Sequence, residues 1–179
     1  MKAAQIYGAA LALIMTGTGA LAQAQAQTDA GSSKPTLPDS GTYFIINSAS
    51  EEALQPAMAS LGQNVLLQTF NRAGAQKWTL NRKIDPSTKK PTNRYTIRLA
   101  GENNSLYFQP HPAVDASAII SMDPSVFVLE AGEAGLLLKS VAKNGDALYT
   151  LSSPPSDTET RFGPNDGSAK FRWKCIAAD

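Results

Sequence analysis

The chain has 179 residues, of which 42% are hydrophobic and 17% are charged. This length is enough for one domain with a substantial core. The formal net charge is only +1, and the absence of a strong basic field argues against nucleic acid as a partner. A single histidine and a single cysteine exclude an internal disulfide and a zinc site built from His and Cys ligands.

The N-terminus has the pattern of a secretory signal peptide, predicted at 1–22. Lys2 provides a short positive region, and residues 6–15 form an apolar stretch. The alternative, an N-terminal membrane anchor, would need a longer apolar stretch to span a bilayer. Small residues predict cleavage after Ala22, or as late as Ala26. We therefore expect a secreted protein without membrane insertion, extracellular, or periplasmic if the host is Gram-negative.

Residues 27–40 are rich in Gly, Ser, Pro and Thr and predict a flexible leader. The domain is then expected at 41–179. No segment in it shows a sustained helical stripe, and short β-rich runs alternate with turn signals instead. The predicted strands are at 41–47, 52–57, 64–70, 76–82, 94–100, 105–110, 117–122, 125–131, 135–141, 147–152, 160–163 and 170–176.

Trp78, Phe127 and Trp173 occupy matching points in the fourth strand of three successive sets of four strands. A large aromatic residue at the same place in three sets indicates one unit that is repeated. Three such units around an axis bury a shared core and close the sheet, which removes open edges. The pattern predicts an all-β fold, a β-trefoil of twelve short strands in three pseudo-repeats. The alternative is a generic β-sandwich or barrel.

The stretch VLLQTFNRAGAQKWTL at 65–80 resembles a repeat of the ricin B-chain-like β-trefoil lectin family. Repeats of that family end in Gln-any-Trp, which Gln76 and Trp78 match, and carry an Asn seven residues before the Trp, which Asn71 matches. The resemblance implies that Trp78 is core, that Gln76 fixes the turn into its strand and that Asn71 points toward a shallow sugar pocket. Glycans or glycoproteins are the partners that it implies.

The chain also departs from the family pattern. The family's sugar-binding Asp would fall at three positions, none of them acidic: Gln55, Tyr107 and Tyr149. Its stacking aromatic residue would fall at Gln68. Only the first repeat keeps both Asn71 and Gln76, so we expect the pocket there, bordered by Gln55, Gln68 and Asn71. Asn71 and Gln76 also have a structural interpretation, because Asn suits a turn and Gln can satisfy backbone groups.

Enzymatic chemistry is not expected. His111 lies between two prolines, which predicts an exposed loop rather than an oriented catalytic base. The acidic pair Glu51 and Glu52 is interpreted as a solvated turn rather than as paired glycosidase carboxylates. Asn103 begins a glycosylation sequon in a predicted turn. We expect a monomer that needs no cofactor and no metal.

The alternative function is protease inhibition, because β-trefoils also include the mushroom mycocypin-like and cospin-like inhibitors and the Kunitz soybean type. This chain is similar to the first group in lacking disulfides. An inhibitor needs a rigid exposed loop whose side chain fills the specificity pocket of a protease. The best candidate is 81–94, the longest predicted loop, and its alternative interpretation is a solvated charged hairpin. Its basic residues are Arg82, Lys83, Lys89, Lys90 and Arg94.

Overall fold

A computed structural model of the chain describes residues 35–101, 105–110, 117–141, 147–153 and 158–179, all within one compact unit, Ser32–Asp179. The predicted signal peptide, His111 and the Asn103 sequon lie outside the described residues. The strands are β1 Gly41–Asn47, β2 Glu52–Pro56, β3 Val65–Thr69, β4 Lys77–Ile84, β5 Pro91–Leu99, β6 Tyr107–Pro110, β7 Ala118–Ser121, β8 Val126–Gly132, β9 Gly135–Val141, β10 Ala147–Ser152, β11 Arg161–Gly163 and β12 Trp173–Ala177.

Six of these strands close into an antiparallel barrel. Strand β4 pairs with β1 and β5, β8 pairs with β5 and β9, and β12 pairs with β9 and β1. The ring returns to its first strand, so none of the six is left as an open edge. Side chains alternate across each strand, and those that face inward fill the barrel with aromatic and branched residues.

The three predicted core aromatic residues occupy equivalent positions in this barrel. Each lies opposite a residue in the first strand of its own repeat: Trp78 opposite Tyr43, Phe127 opposite Tyr95, and Trp173 opposite Leu136. Each also lies opposite a residue four positions further along the next repeat's first strand: Leu99, Ser140 and Asn47, respectively. All three are at most 1% exposed. The β-trefoil, the burial and the pseudo-threefold relation are confirmed.

Three hairpins, β2–β3, β6–β7 and β10–β11, cover one end of the barrel. The indole Nε1 of Trp78 donates to the Leu54 carbonyl at 2.9 Å, and that of Trp173 donates to the Leu151 carbonyl at 3.0 Å. Phe127 has no such donor, and it packs against Phe108 of the second hairpin with ring centroids 5.2 Å apart. Each hairpin is thereby attached to the fourth strand of its own repeat.

The three hairpins meet at the carboxylate of Glu159, which precedes β11. Backbone bridges join Asn64 to Ile119, Leu66 to Glu159 and Ser117 to Arg161. The Glu159 carboxylate accepts hydrogen bonds from Asn64 Nδ2 at 2.6 Å and from Ser117 Oγ at 2.7 Å, and lies 3.6 Å from the Arg161 guanidinium. The hydrogen bond from Ser117 is the largest cause that holds the pKa of Glu159 below its ordinary value.

Residues 35–40, the end of the predicted flexible leader, pack against the other end of the barrel. Leu37 contacts the barrel core. The Tyr95 hydroxyl donates to the Pro38 carbonyl at 2.6 Å, and Arg82 forms an ion pair with Asp39 at 3.2 Å. These contacts hold residues 37–39, which lie in the predicted leader, against the barrel.

We expect Glu159→Gln to lower the melting temperature near neutral pH, because the carboxylate accepts two hydrogen bonds at the hairpin junction. A depressed folded-state pKa contributes stability that is present above the unfolded pKa of a glutamate, about 4.3, and is lost as the pH falls through the lower folded value. The difference between wild type and variant should therefore shrink in acid. Thermal unfolding followed by circular dichroism measures it.

Glu133→Gln is the matched control, because Glu133 is exposed in the β8–β9 turn and the same chemical change there should have little effect. A Glu159→Gln effect that stays constant from neutral to acidic pH would show that the ionised carboxylate does not stabilise the junction.

Candidate functional site

The β2–β3 hairpin of the first repeat places two predicted site residues on one surface. Gln68 lies opposite Ala53 and Gln55 lies opposite Leu66, so these four residues share a face of the hairpin. The intervening Leu54 points the other way and is fully buried in the core. Gln68 is exposed and Gln55 is half-buried, so both side chains reach solvent on this face of the hairpin.

The turn between β3 and β4 presents Asn71 beside this surface. Asn71 is exposed, and its Oδ1 accepts a hydrogen bond from the Ala73 backbone at 2.9 Å. Gln76 is 0% exposed. Its Nε2 donates to the Thr69 carbonyl at 2.9 Å, and its Oε1 accepts from the Asn71 backbone N–H at 3.1 Å. Gln76 therefore holds the turn from inside and does not face a ligand, which removes it from the predicted sugar-contacting set.

Phe70 is a further residue of this surface that the sequence did not single out. The ring of Phe70 is half-buried, and it makes an edge-to-face contact with the ring of Phe44, with centroids 5.1 Å apart. The Arg72 guanidinium lies 5.9 Å from the Phe70 centroid. The signal that could have found it is its place directly before Asn71. Gln68, where the family's stacking aromatic residue was expected, offers no ring, so Phe70 is the aromatic side chain beside Asn71.

A second copy of the turn exists in the third repeat. Asp166 precedes its tryptophan by seven residues, as Asn71 does in the first repeat. Asp166 Oδ1 accepts from the Ser168 backbone at 2.9 Å, the same bond to the residue two positions on. A short 3-10 helix follows both, Gly74–Gln76 in one and Ala169–Phe171 in the other. The sequence shows the seven-residue spacing in both repeats, from Asn71 to Trp78 and from Asp166 to Trp173.

The third-repeat turn differs in its chemistry. Lys170 forms an ion pair with Asp166 at 2.8 Å, and the hydrogen bond from Lys170 is the largest cause that holds the pKa of Asp166 far below its ordinary value. Phe171, 3% exposed, stands where the first repeat has the buried Gln76. In the second repeat only five residues separate Ser121 from Phe127, and none of them is in a 3-10 helix, so this repeat has no equivalent turn.

The strand register corrects the positions that were matched to the family's Asp. In the first repeat Ile46 pairs with Ala53. Arg98 takes the place of Ile46 in the second repeat and pairs with Tyr107. Tyr107 therefore corresponds to Ala53 rather than to Gln55. The residues that correspond to Gln55 are Gln109 and Ser152. Neither is acidic, so the absence of the carboxylate holds in all three repeats.

A cavity of about 600 Å³ lies away from this surface, between residues 35–39 and the barrel strands. Tyr43, Leu136, Trp173 and Cys175 belong to its wall. Burial raises the pKa of the Cys175 thiol to about 12, so the thiol stays protonated at neutral pH. Gln55, Gln68 and Asn71 do not line this cavity, so the first-repeat surface is a separate and shallow feature.

The predicted loop at 81–94 is shorter in the structure. Strand β4 continues to Ile84 and β5 begins at Pro91, so only residues 85–90 form the turn. Lys83, Lys89 and Lys90 are exposed, as expected, whereas Arg82 is half-buried. The sequence missed these strand ends because both carry polar and charged residues without an apolar face.

Two further features are absent from the described part of the chain. No group of three or more His, Cys, Asp or Glu residues there could hold a metal ion. No helix among these residues is long and apolar enough to cross a membrane.

No protein-family model and no curated protein sequence matches the chain. Solved structures do match. The Rhizoctonia solani agglutinin is 17% identical over 80% of this chain and 99% of its own, with a TM-score of 0.63. The designed threefold-symmetric protein ThreeFoil is 17% identical over 76% and 98%, with a TM-score of 0.58. The ricin B-like lectin of Macrolepiota procera, solved with lactose, is 16% identical over 80% and 99%, with a TM-score of 0.59.

This chain has the β-trefoil fold of the ricin B-like lectins. The resemblance seen at 65–80 is thereby confirmed for the fold, and at these identities the likeness extends no further than the fold.

We expect Gln76→Ala to lower the free energy of unfolding by about 1–3 kcal/mol, because it leaves the Thr69 carbonyl and the Asn71 N–H without their partner inside the turn. Asn71→Ala is the control, because its side chain is exposed and one exposed hydrogen bond contributes less. Urea unfolding of both variants measures the difference. Equal effects would show that Gln76 does not hold the turn.

Proposed function

We propose that this chain is a carbohydrate-binding protein of the β-trefoil lectin type, and that glycan contacts the first-repeat surface formed by Gln55, Gln68 and Asn71. The observation that carries the proposal is the buried Gln76, which fixes the turn so that Asn71 is presented beside two surface amides. The lactose complex of the Macrolepiota procera lectin supports it, because that protein binds a sugar on the same fold.

The amides of this surface suit sugar hydroxyls, because each offers both donors and an acceptor. Asn71 Oδ1 is engaged in the turn, whereas its Nδ2 has no hydrogen bond to any residue that the structure describes. Gln68 and Gln55 add further donors from the neighbouring strands. Phe70 contributes part of an apolar ring next to Asn71, which suits the apolar face of a pyranose ring.

The affinity for one monosaccharide should be low. Hydrogen bonds that a carboxylate accepts are roughly twice as strong as those that a neutral amide accepts, and the surface formed by Gln55, Gln68 and Asn71 has no carboxylate. We expect a dissociation constant of about 1 mM, which corresponds to about −4 kcal/mol. A longer glycan, or glycans clustered on a surface, would raise the overall binding strength through simultaneous contacts.

Secretion is part of the proposal, because the N-terminal pattern of charge, apolar stretch and small residues is that of a signal peptide. Protein recovered from the medium or the periplasm should begin at Gln23, Gln25 or Gln27, as measured by N-terminal sequencing or intact mass. Recovery of the chain there with Met1 intact would contradict a cleaved signal peptide.

The glycan prediction is tested on an array with the mature protein and two variants. Asn71→Ala should abolish binding, because it removes the exposed amide, and its melting temperature should stay close to that of wild type. Asp166→Ala is the matched control, since it changes the equivalent turn of the third repeat and should leave binding unchanged.

Loss of binding in Asp166→Ala with retention in Asn71→Ala would move the site to the third repeat. An empty array would contradict the proposal. If the same protein inhibited a trypsin-like protease at micromolar concentration, and Lys83→Ala, Lys89→Ala and Lys90→Ala together removed that inhibition, the alternative function would replace carbohydrate binding.

A further inference from the structure

The basic residues of the chain are unevenly distributed. Five of its 16 basic residues and one of its 15 acidic residues lie at 81–94. The rest of the chain carries 11 basic and 14 acidic residues, so a protein of net charge +1 has a local excess of positive charge on one hairpin.

The structure holds this segment in a closed turn at the end of a ribbon. Strand β4 pairs with β1 only through residues 77–80, and β5 pairs with β8 through residues 94–96, so the hairpin extends beyond the barrel on two strands. The Asp85 N–H donates to the Lys90 carbonyl, and the Lys89 N–H donates to the Asp85 carbonyl, both at 2.9 Å. These bonds close the turn at 85–90.

The carboxylates at this hairpin are already engaged. Asp85, its one acidic residue, accepts hydrogen bonds from the Ser87 hydroxyl at 2.6 Å and from the Ser87 N–H at 2.8 Å. Asp39 of the packed leader is paired with Arg82 at 3.2 Å. Neither acid forms an ion pair with the exposed basic side chains of the hairpin. The positive charge of these side chains therefore faces the solvent.

Four cations remain available at this hairpin. Their side chains are exposed, and none has an ion-pair partner within the described ranges: Lys83, Lys89, Lys90 and Arg94. Arg94 is directed to the outside of the barrel, because the next residue, Tyr95, is fully buried in the interior.

We propose that the β4–β5 hairpin is a docking site for a linear sulfated polysaccharide, which Lys83, Lys89, Lys90 and Arg94 contact. A sulfated chain presents repeated anions along its length, and several exposed cations on one ribbon match such an array without a pocket. Ile84 is the one large exposed hydrophobic residue at 81–94, which favours a hydrated polyanion over insertion into a bilayer. The hydrogen-bonded turn also differs from the extended loop that a protease cleft would take.

This docking site is separate from the first-repeat surface. The turn with Asn71 precedes the start of β4, whereas the hairpin turn follows its end. The eight residues of β4, at about 3.3 Å each, place the two sites roughly 25 Å apart. Either site can therefore fail without the other.

The test uses heparin as the sulfated probe and the intact secreted protein, with affinity measured by calorimetry at several salt concentrations. Binding should weaken with salt, with a slope of log affinity against log salt of about −3 for four neutralised sulfates. Lys83→Gln, Lys89→Gln and Lys90→Gln together should weaken binding by at least about tenfold, since exposed contacts of this kind add. Fully desulfated heparin should not bind.

The matched control is Lys77→Gln, Lys170→Gln and Lys174→Gln together, which removes three positive charges elsewhere. It should keep heparin affinity within about twofold, because charges more than a Debye length away are screened. Asn71→Ala should leave heparin binding intact, and the hairpin variant should leave binding on the glycan array intact.

Three results would overturn the proposal. Equal loss in the hairpin variant and in its control would indicate attraction by net charge rather than a site. Unchanged affinity in the hairpin variant would exclude these side chains. Hairpin-dependent binding to phosphatidylserine vesicles, without binding to heparin, would assign the hairpin to an anionic membrane surface instead.

Discussion

Closure of the barrel is the constraint on which the rest of this structure depends. Three repeats can close only if every inter-repeat pair keeps the same register. The smallest pairing in the ring is that of β9 with β12, which has the single residue pair Leu136 opposite Trp173. Gly135, beside it, has φ 137°, and a Cβ there would lie 3.0 Å from the Trp173 carbonyl. Only glycine allows this approach without strain, so ring closure depends on it as well as on the buried aromatic residues.

The fold was predictable from the sequence because its determinants recur. Trp78, Phe127 and Trp173 are large buried residues, and an aromatic residue that each repeat needs for its core recurs once per repeat in the sequence. The β4–β5 ribbon was not predictable in the same way. It has no core behind it, so its strand ends lack the alternation that marks a half-buried strand. The packing of Leu37 was missed for a related reason, because its partner is a barrel interior far away in sequence.

The candidate site was predicted only in part, because the seven-residue spacing before the tryptophan occurs both as a feature of the turn and as a feature of the family's sugar site. A side-chain oxygen at Asn71 or Asp166 caps its turn in the same way in repeats with different neighbours. The residue five positions further on is buried beneath the turn in both repeats: it is Gln76 in the first repeat and Phe171 in the third. The seven-residue spacing is therefore a property of the turn. What distinguishes the first repeat is the pair of amides, Gln55 and Gln68, that the strand register places on one face of the adjacent hairpin.

The two proposed sites lie at opposite ends of β4, and this placement matters if both bind. A shallow amide surface with a millimolar dissociation constant is mostly empty at ordinary glycan concentrations. A chain held on the basic hairpin would present its other residues to Asn71 at an effective concentration in the millimolar range, comparable to that constant. Because β4 is one continuous strand that leaves the barrel to form the hairpin, the separation is fixed at roughly 25 Å. A glycan shorter than that span would gain nothing from the second site, so the geometry favours long chains over short ones.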